Sequence, residues 1–162
     1  MMMSKVLVAY FSAGGVTERL ARKLAGGIGA DLYKICPAVP YSTADLDWTN
    51  SRSRSSVEMN DKSYRPEIAG RAENMEQYDC IFVGFPIWWY VAPTIINTFL
   101  EQYDLTGKKV IPFATSGSSG MGNTCRELAP SCPGAVLKEG KRFPANAGED
   151  ELKQWAENMM EG

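Results

Sequence analysis

Lys5-Val6-Leu7-Val8-Ala9-Tyr10-Phe11, followed at once by Ser12-Ala13-Gly14-Gly15-Val16-Thr17, is the stretch whose reading decides the fold. After Lys5 the first part is continuously apolar, the pattern of a strand covered on both faces, as in a parallel sheet. From Val16 the period changes. Val16, Leu20, Leu24 and Ile28 recur every four residues and form one apolar helical stripe. The turn between them is polar and glycine-rich. Gly14 and Gly15 let the backbone approach an anion closely, and amides at the helix start point toward it. Ser12 and Thr17 add hydroxyl donors. A phosphate monoester suits such a turn, although the same residues also cap ordinary helices that bind nothing.

Outward from this unit, apolar runs and helical stripes alternate along the chain. Strands are predicted at Asp31–Ile35, Cys80–Phe85, Lys109–Ala114 and around Ala135–Lys138. Pro112 is awkward in the fourth, because proline cannot donate to a sheet ladder. Gly26, Gly27 and Gly29 mark fraying and a stop for the first helix. Pro93 suits the first turn of a helix carrying Ile95, Ile96, Phe99, Leu100 and Tyr103. A short helix is predicted near Met121–Leu128, and a closing one has Leu152, Trp155 and Met159 on one face. This alternation predicts an α/β fold, a five-stranded parallel sheet of order 2-1-3-4-5 between helical layers. Residues 1–162 read as a single domain. The polar segment 37–66, with Tyr41, Trp48 and Tyr64, is a long insertion. Its aromatics argue for order over some surface rather than a free loop.

Composition narrows the function. The formal charge of -2 gives no general field for nucleic acid, and no segment reaches the apolar length of a bilayer span. Met1-Met2-Met3-Ser4-Lys5 runs directly into the strand pattern rather than into a signal peptide, so a cytoplasmic location is expected. The absence of histidine excludes His-dependent triads and His-containing zinc sites. Cys36, Cys80, Cys125 and Cys132 form no Cys-x-x-Cys pair and read as free thiols, with Cys80 in the core. None has arginine six positions later, as a phosphatase Cys-x5-Arg loop demands. The glycine turn lacks the Gly-Lys-[Ser/Thr] ending of nucleotide triphosphatases and the spacing of a dinucleotide fingerprint. Phe11-Ser12 stands where a receiver module keeps acidic residues, so a signalling module is disfavoured.

Ligands of open α/β sheets sit beyond the carboxyl ends of the strands. Two further loops there are unusual. Phe85-Pro86-Ile87-Trp88-Trp89-Tyr90 gathers aromatics that can wall a flat conjugated ring, or simply fill a core or subunit contact. Thr115-Ser116-Gly117-Ser118-Ser119-Gly120-Met121-Gly122 has few bulky side chains, so its amides can meet a heterocycle's polar edge. A flexible surface loop has the same composition.

Together the three loops match the parts of flavin mononucleotide. Tyr10–Thr17 resembles the flavodoxin phosphate motif. Gly84-Phe85-Pro86-Ile87-Trp88-Trp89 and Pro112-Phe113-Ala114-Thr115-Ser116-Gly117 resemble the flavin-ring loops of a short-chain flavodoxin-like family found in bacteria. The likeness runs over nearly the whole chain. It implies a flavodoxin-like three-layer sandwich with FMN as cofactor. Ser12, Ala13, Gly14, Gly15, Val16 and Thr17 would surround the phosphate, and Pro86, Ile87, Trp88 and Trp89 would wall the isoalloxazine. Ser116, Gly117 and Gly120 would offer backbone or hydroxyl contacts. The resemblance leaves open which tryptophan stacks. It also shows two departures: Gly14 stands in place of a hydroxyl residue and Val16 in place of a polar one.

The implied function is electron transfer between redox partners, either a partner protein or a small-molecule acceptor, by a monomer or homodimer. No catalytic side chain and no metal are required. Flavodoxins commonly place a glycine after the aromatic loop, and Trp88-Trp89-Tyr90-Val91-Ala92-Pro93 contains none, from which more two-electron behaviour is expected. The enzymatic alternative is an NAD(P)H-dependent quinone or flavin reductase, with the 37–66 insertion as a lid and Arg52 or Arg54 meeting a phosphate.

Overall fold

The computed structural model describes residues 5–13, 15–47, 49–88, 91–115 and 121–161. Strand β1 (Lys5–Tyr10) leads through the glycine turn into helix α1 (Val16–Ile28), which returns antiparallel to β2 (Asp31–Lys34). The insertion carries a 3-10 turn (Ala44–Leu46) and helix α2 (Arg54–Met59). Next come β3 (Tyr78–Pro86), α3 (Thr94–Glu101), β4 (Lys109–Thr115), α4 (Thr124–Leu128), β5 (Val136–Leu137), β6 (Lys141–Phe143) and α5 (Glu149–Glu161). The sheet is parallel, in the order β2-β1-β3-β4-β5, with β6 also paired to β4. This is the flavodoxin-like α/β arrangement expected from the alternation of strands and helices. The sixth strand is an addition to it.

Alternation along β1 sorts its side chains into two cores. Leu7, Ala9 and Phe11 face α3 and α4, packing with Ile95, Ile96, Phe99 and Leu128. Val8 and Tyr10 face α1 and α5, packing with Leu20, Leu24, Phe82, Phe113 and Leu152. Gly84 is fixed by that second core: a Cβ there would stand 2.3 Å from Phe113 Cζ, so only glycine lets this ring lie against β3.

Pro112 sits inside β4, opposite Val83 of β3. Its tolerance follows from the ladder. The carbonyls of Lys108 and Val110 accept from Val136 and Lys138, so the even positions of β4 point toward the β5 side. β5 pairs only with Lys109 and Val110, and β6 begins opposite Phe113. Pro112 therefore falls where one neighbour has left and the next has not begun, and its missing donor is not needed. Gly140 crosses there, where a Cβ would lie 2.1 Å from the Pro112 carbonyl oxygen.

Several predicted boundaries move. The second strand stops at Lys34 rather than Ile35, and the fifth contracts to Val136–Leu137 before the chain crosses to β6. The helix predicted from Met121 begins at Thr124, then tightens into a 3-10 turn at Ala129–Ser131, where Pro130 interrupts α-helical bonding. The insertion is pinched at its base, where Ala38 N–H donates to Glu67 and Ala69 N–H donates to Cys36. Its helix α2 starts at Ser53, whose hydroxyl accepts from the Ser56 amide.

Candidate cofactor site

The register places Tyr10 beside Gly84, Gly84 beside Phe113, and Pro86 beside Thr115. The three loops singled out in the sequence therefore leave adjacent strands at one sheet edge. Gly14, Trp89, Tyr90, Ser116, Gly117 and Gly120 lie outside the described residues, as does Trp48 in the insertion. Ser12, Ala13, Gly15, Val16 and Thr17 are described, as are Pro86, Ile87 and Trp88.

At the first loop, Gly15 takes φ +90°, a left-handed conformation natural only to glycine, and forms the N-cap of α1. Among the described residues no side chain caps this helix start. The Ser12 hydroxyl oxygen accepts from the Gly15 amide at 3.0 Å, which closes the turn and leaves the hydroxyl proton to donate elsewhere. Thr17 is buried, and its hydroxyl meets that of Thr115 at 2.8 Å, joining the first loop to the end of β4. Only one proton bridges that pair, so the other is free for a further acceptor. An uncapped helix terminus, a glycine turn and spare hydroxyl protons fit an anion such as phosphate.

The acidic residue of the first helical turn does not oppose that fit. Glu18 accepts from the Tyr10 phenol at 3.0 Å and faces Lys34 at 3.6 Å and Arg22 at 3.9 Å. Burial, reinforced by Glu18, pushes the Tyr10 phenol up and keeps it neutral.

At the second loop, Trp88 and Val91 exchange both backbone hydrogen bonds, at 2.9 and 3.1 Å. Ile87 N–H donates to the Thr115 carbonyl at 3.2 Å, tying this loop to β4 as well. Trp88 packs edge-on against Phe11 and Tyr41, with ring centroids 5.7 and 5.5 Å apart, and Phe11 and Tyr41 are 5.6 Å apart. Tyr41 comes from the insertion. The Arg54 guanidinium lies 3.8 Å from its ring centroid, and its phenol donates to Glu58. Arg54 Nε also donates to Glu58, at 2.8 Å, and Nη1 donates to the Val39 carbonyl at 2.6 Å. Glu58 is 1% exposed, so this is a buried, mutually satisfied cluster. Burial first, and the Glu58 carboxylate second, push the Tyr41 phenol far above its usual value.

Sequence reading missed this cluster, whose visible trace is the Arg54-x-x-x-Glu58 spacing on α2. Arg54 is thus engaged inside the insertion rather than presented to a ligand phosphate, while Arg52 is exposed. Beside the second loop, a cavity of about 410 Å³ lies between the insertion, α3 and α4. Met59, Val91 and Ala92 contribute apolar lining. Two ion pairs tie the insertion to the opposite helices around it, Lys62–Glu127 at 2.6 Å and Arg65–Glu101 at 2.9 Å. Among the described residues no helix is long and apolar enough to cross a membrane, and no cluster of acidic, thiol or imidazole groups could hold a metal. All four cysteines are free.

The sequence model of the flavodoxin family matches residues 5–159. No curated protein sequence matches the chain. Among solved structures, a candidate flavoprotein from Bacteroides eggerthii is 51% identical, with a TM-score of 0.91 over 98% of this chain and 99% of that one. A second, from Bacteroides uniformis, is 47% identical, with a TM-score of 0.90 over 96% and 99%. A flavoprotein from Lactobacillus acidophilus, solved in complex with FMN, shares the fold at 22% identity, with a TM-score of 0.72 over 95% and 99%.

Proposed function

The chain belongs to the flavodoxin family, and from that premise we propose that it binds FMN at the β1–β3–β4 edge and carries electrons between redox partners. The observation that carries this reading is the convergence of the uncapped α1 terminus and the Trp88 loop on adjacent strands, tied together through Thr115. FMN supplies the redox chemistry when bound, and the protein positions and shields it. The Gly15 turn, the Ser12 hydroxyl and the first amides of α1 would hold the phosphate. Pro86, Ile87, Trp88 and Trp89 would wall the ring and exclude water from one side, and Ser116, Gly117 and Gly120 would offer it backbone or hydroxyl contacts. No side chain need act as acid or base. The free thiols support a cytoplasmic setting.

The test is the visible spectrum of the purified protein, with chemical identification of any released cofactor. A yellow protein that releases FMN supports the reading. A colourless one that ignores added FMN refutes it. The expected redox titration is a two-electron one, because Trp88–Pro93 holds no glycine.

The cavity beside Val91 and Ala92 favours a second reading, a reductase passing electrons from NAD(P)H to a quinone-sized acceptor. Bleaching of bound FMN by NADPH alone, followed by turnover with a soluble quinone, selects it. Reduction only through a partner protein selects the carrier.

A further inference from the structure

Arg19 stands one helical turn beyond the glycine loop, its amide donating to the Gly15 carbonyl at 3.1 Å. Side chains on a helix lean back over the preceding turn. That of Arg19 does so: its Nη1 lies 3.8 Å from where a Cβ on Gly15 would be. An exposed guanidinium is thereby folded over the N-cap of α1. A cation there is mismatched with the positive end of the helix dipole, which an anion would reverse.

The neighbouring charges sharpen the point. Glu18, adjacent in sequence, is turned toward Tyr10, Arg22 and Lys34. Among the described residues no carboxylate lies within ion-pair distance of Arg19. Local side-chain donors are also few: one of the two hydroxyl protons of Thr17 and Thr115 is spent bridging the pair, and Val16 has no polar atom in its side chain. The N-cap thus combines an uncapped terminus, a glycine that admits close approach, and a guanidinium with no carboxylate partner beside it.

We infer that Arg19 is the cationic contact of the cofactor's phosphate, and the residue through which this chain prefers FMN to riboflavin. The inference rests on the FMN reading above. A guanidinium adds to the amides' hydrogen bonds a full opposite charge and a bidentate fork, and that charge makes its contribution sensitive to salt. It also answers the two departures in the loop, since one cation can replace the missing side-chain hydroxyl donors.

The experiment titrates FMN and riboflavin into the apo-protein, following flavin fluorescence, for the wild type, Arg19→Gln and Arg19→Lys. Arg19→Gln is expected to weaken FMN binding about tenfold while riboflavin binding stays unchanged, and Arg19→Lys to recover part of the loss. Raising the salt concentration should weaken FMN binding to the wild type more than to Arg19→Gln. Inorganic phosphate should not displace riboflavin from either protein, but should compete with FMN better in the wild type. Equal losses for FMN and riboflavin would give Arg19 a structural role and overturn the inference, and so would an unchanged FMN affinity. A wild type that binds neither flavin would instead overturn the FMN reading itself.

Discussion

At the phosphate end of the site, Ser12, Gly15, Val16 and Thr17 are near neighbours in the chain, and their geometry is set by one turn closed by the Ser12 hydroxyl. At the aromatic end, Phe11, Tyr41 and Trp88 arrive from three distant segments, and Tyr41 is held there by Arg54 and Glu58. The first end is local and open to an anion. The second is a tertiary assembly whose ionic groups satisfy one another before any ligand arrives. A change at the aromatic end should therefore disturb folding and every flavin alike. A change at the phosphate end should act mainly on the phosphorylated one.

The largest expected effect is that of Glu58→Ala. It would leave Arg54 and the Tyr41 phenol without their shared acceptor in a buried setting, with an expected loss of about 3 kcal/mol in urea unfolding. With Tyr41 loosened, Trp88 loses one of its two ring contacts, so FMN and riboflavin should weaken by the same factor. Glu58→Gln keeps an acceptor and should lose less. If Glu58→Ala separated the two flavins, the division between the ends would fail.

The same contrast explains how much could be read from the sequence. The Lys5–Thr17 unit was legible because its strand, turn and helix are each written in contiguous residues, and the strand order follows from repeating that unit. The buried role of Glu58 was not. An acid in a polar insertion reads as solvated, and its burial depends on Tyr41, seventeen positions earlier, and on the pinch at Pro37 and Ile68. β6 escaped notice for another reason. Lys141-Arg142-Phe143 is short and charged, and only the gap left at Pro112 gives it a place on β4. Arg19 was visible as a residue but not as a contact, since its direction is set by how α1 begins.

Alkaline titration gives a baseline that touches neither end directly. Burial pushes the Cys80 thiol up to about 11, against 9.0 for a free thiol, and burial with the Asp31 hydrogen bond pushes the Tyr78 phenol to about 12. Both groups stay protonated in the folded chain while the unfolded chain loses the proton. Their stabilising contribution is complete below about pH 9 and is lost as the pH rises through 11 to 12. The Cys80 part amounts to about 3 kcal/mol at most, and Cys80→Ala should flatten that part of the pH–stability curve. The ratio of FMN to riboflavin affinity should not change with this substitution.

Gly15→Ala is smaller and confined to the phosphate end. At φ +90° an L-residue is strained by about 1–2 kcal/mol, although the space beside Gly15 is adequate. The turn would relax by shifting the first amides of α1, so FMN should weaken while riboflavin holds. Loss of both flavins together would mean that the turn also supports the aromatic end.

The subtlest prediction concerns the seam between the first loop and β4. Thr17 and Thr115 are both buried, at 2% and 5% exposed, and their hydroxyls meet only across this contact among the described residues. Removing one hydroxyl leaves its partner buried without a mate, whereas removing both leaves two apolar surfaces of nearly the original shape. Thr17→Val and Thr115→Val should each lose about 1 kcal/mol in urea unfolding, and the double variant should lose no more than either single one. FMN affinity then decides what the seam is for. A hydroxyl whose spare proton reaches the phosphate makes Thr17→Val weaken FMN more than Thr115→Val does. Equal effects from the two substitutions mean that the pair acts only by holding the loop to the sheet, leaving phosphate recognition to the amides of α1, Ser12 and Arg19.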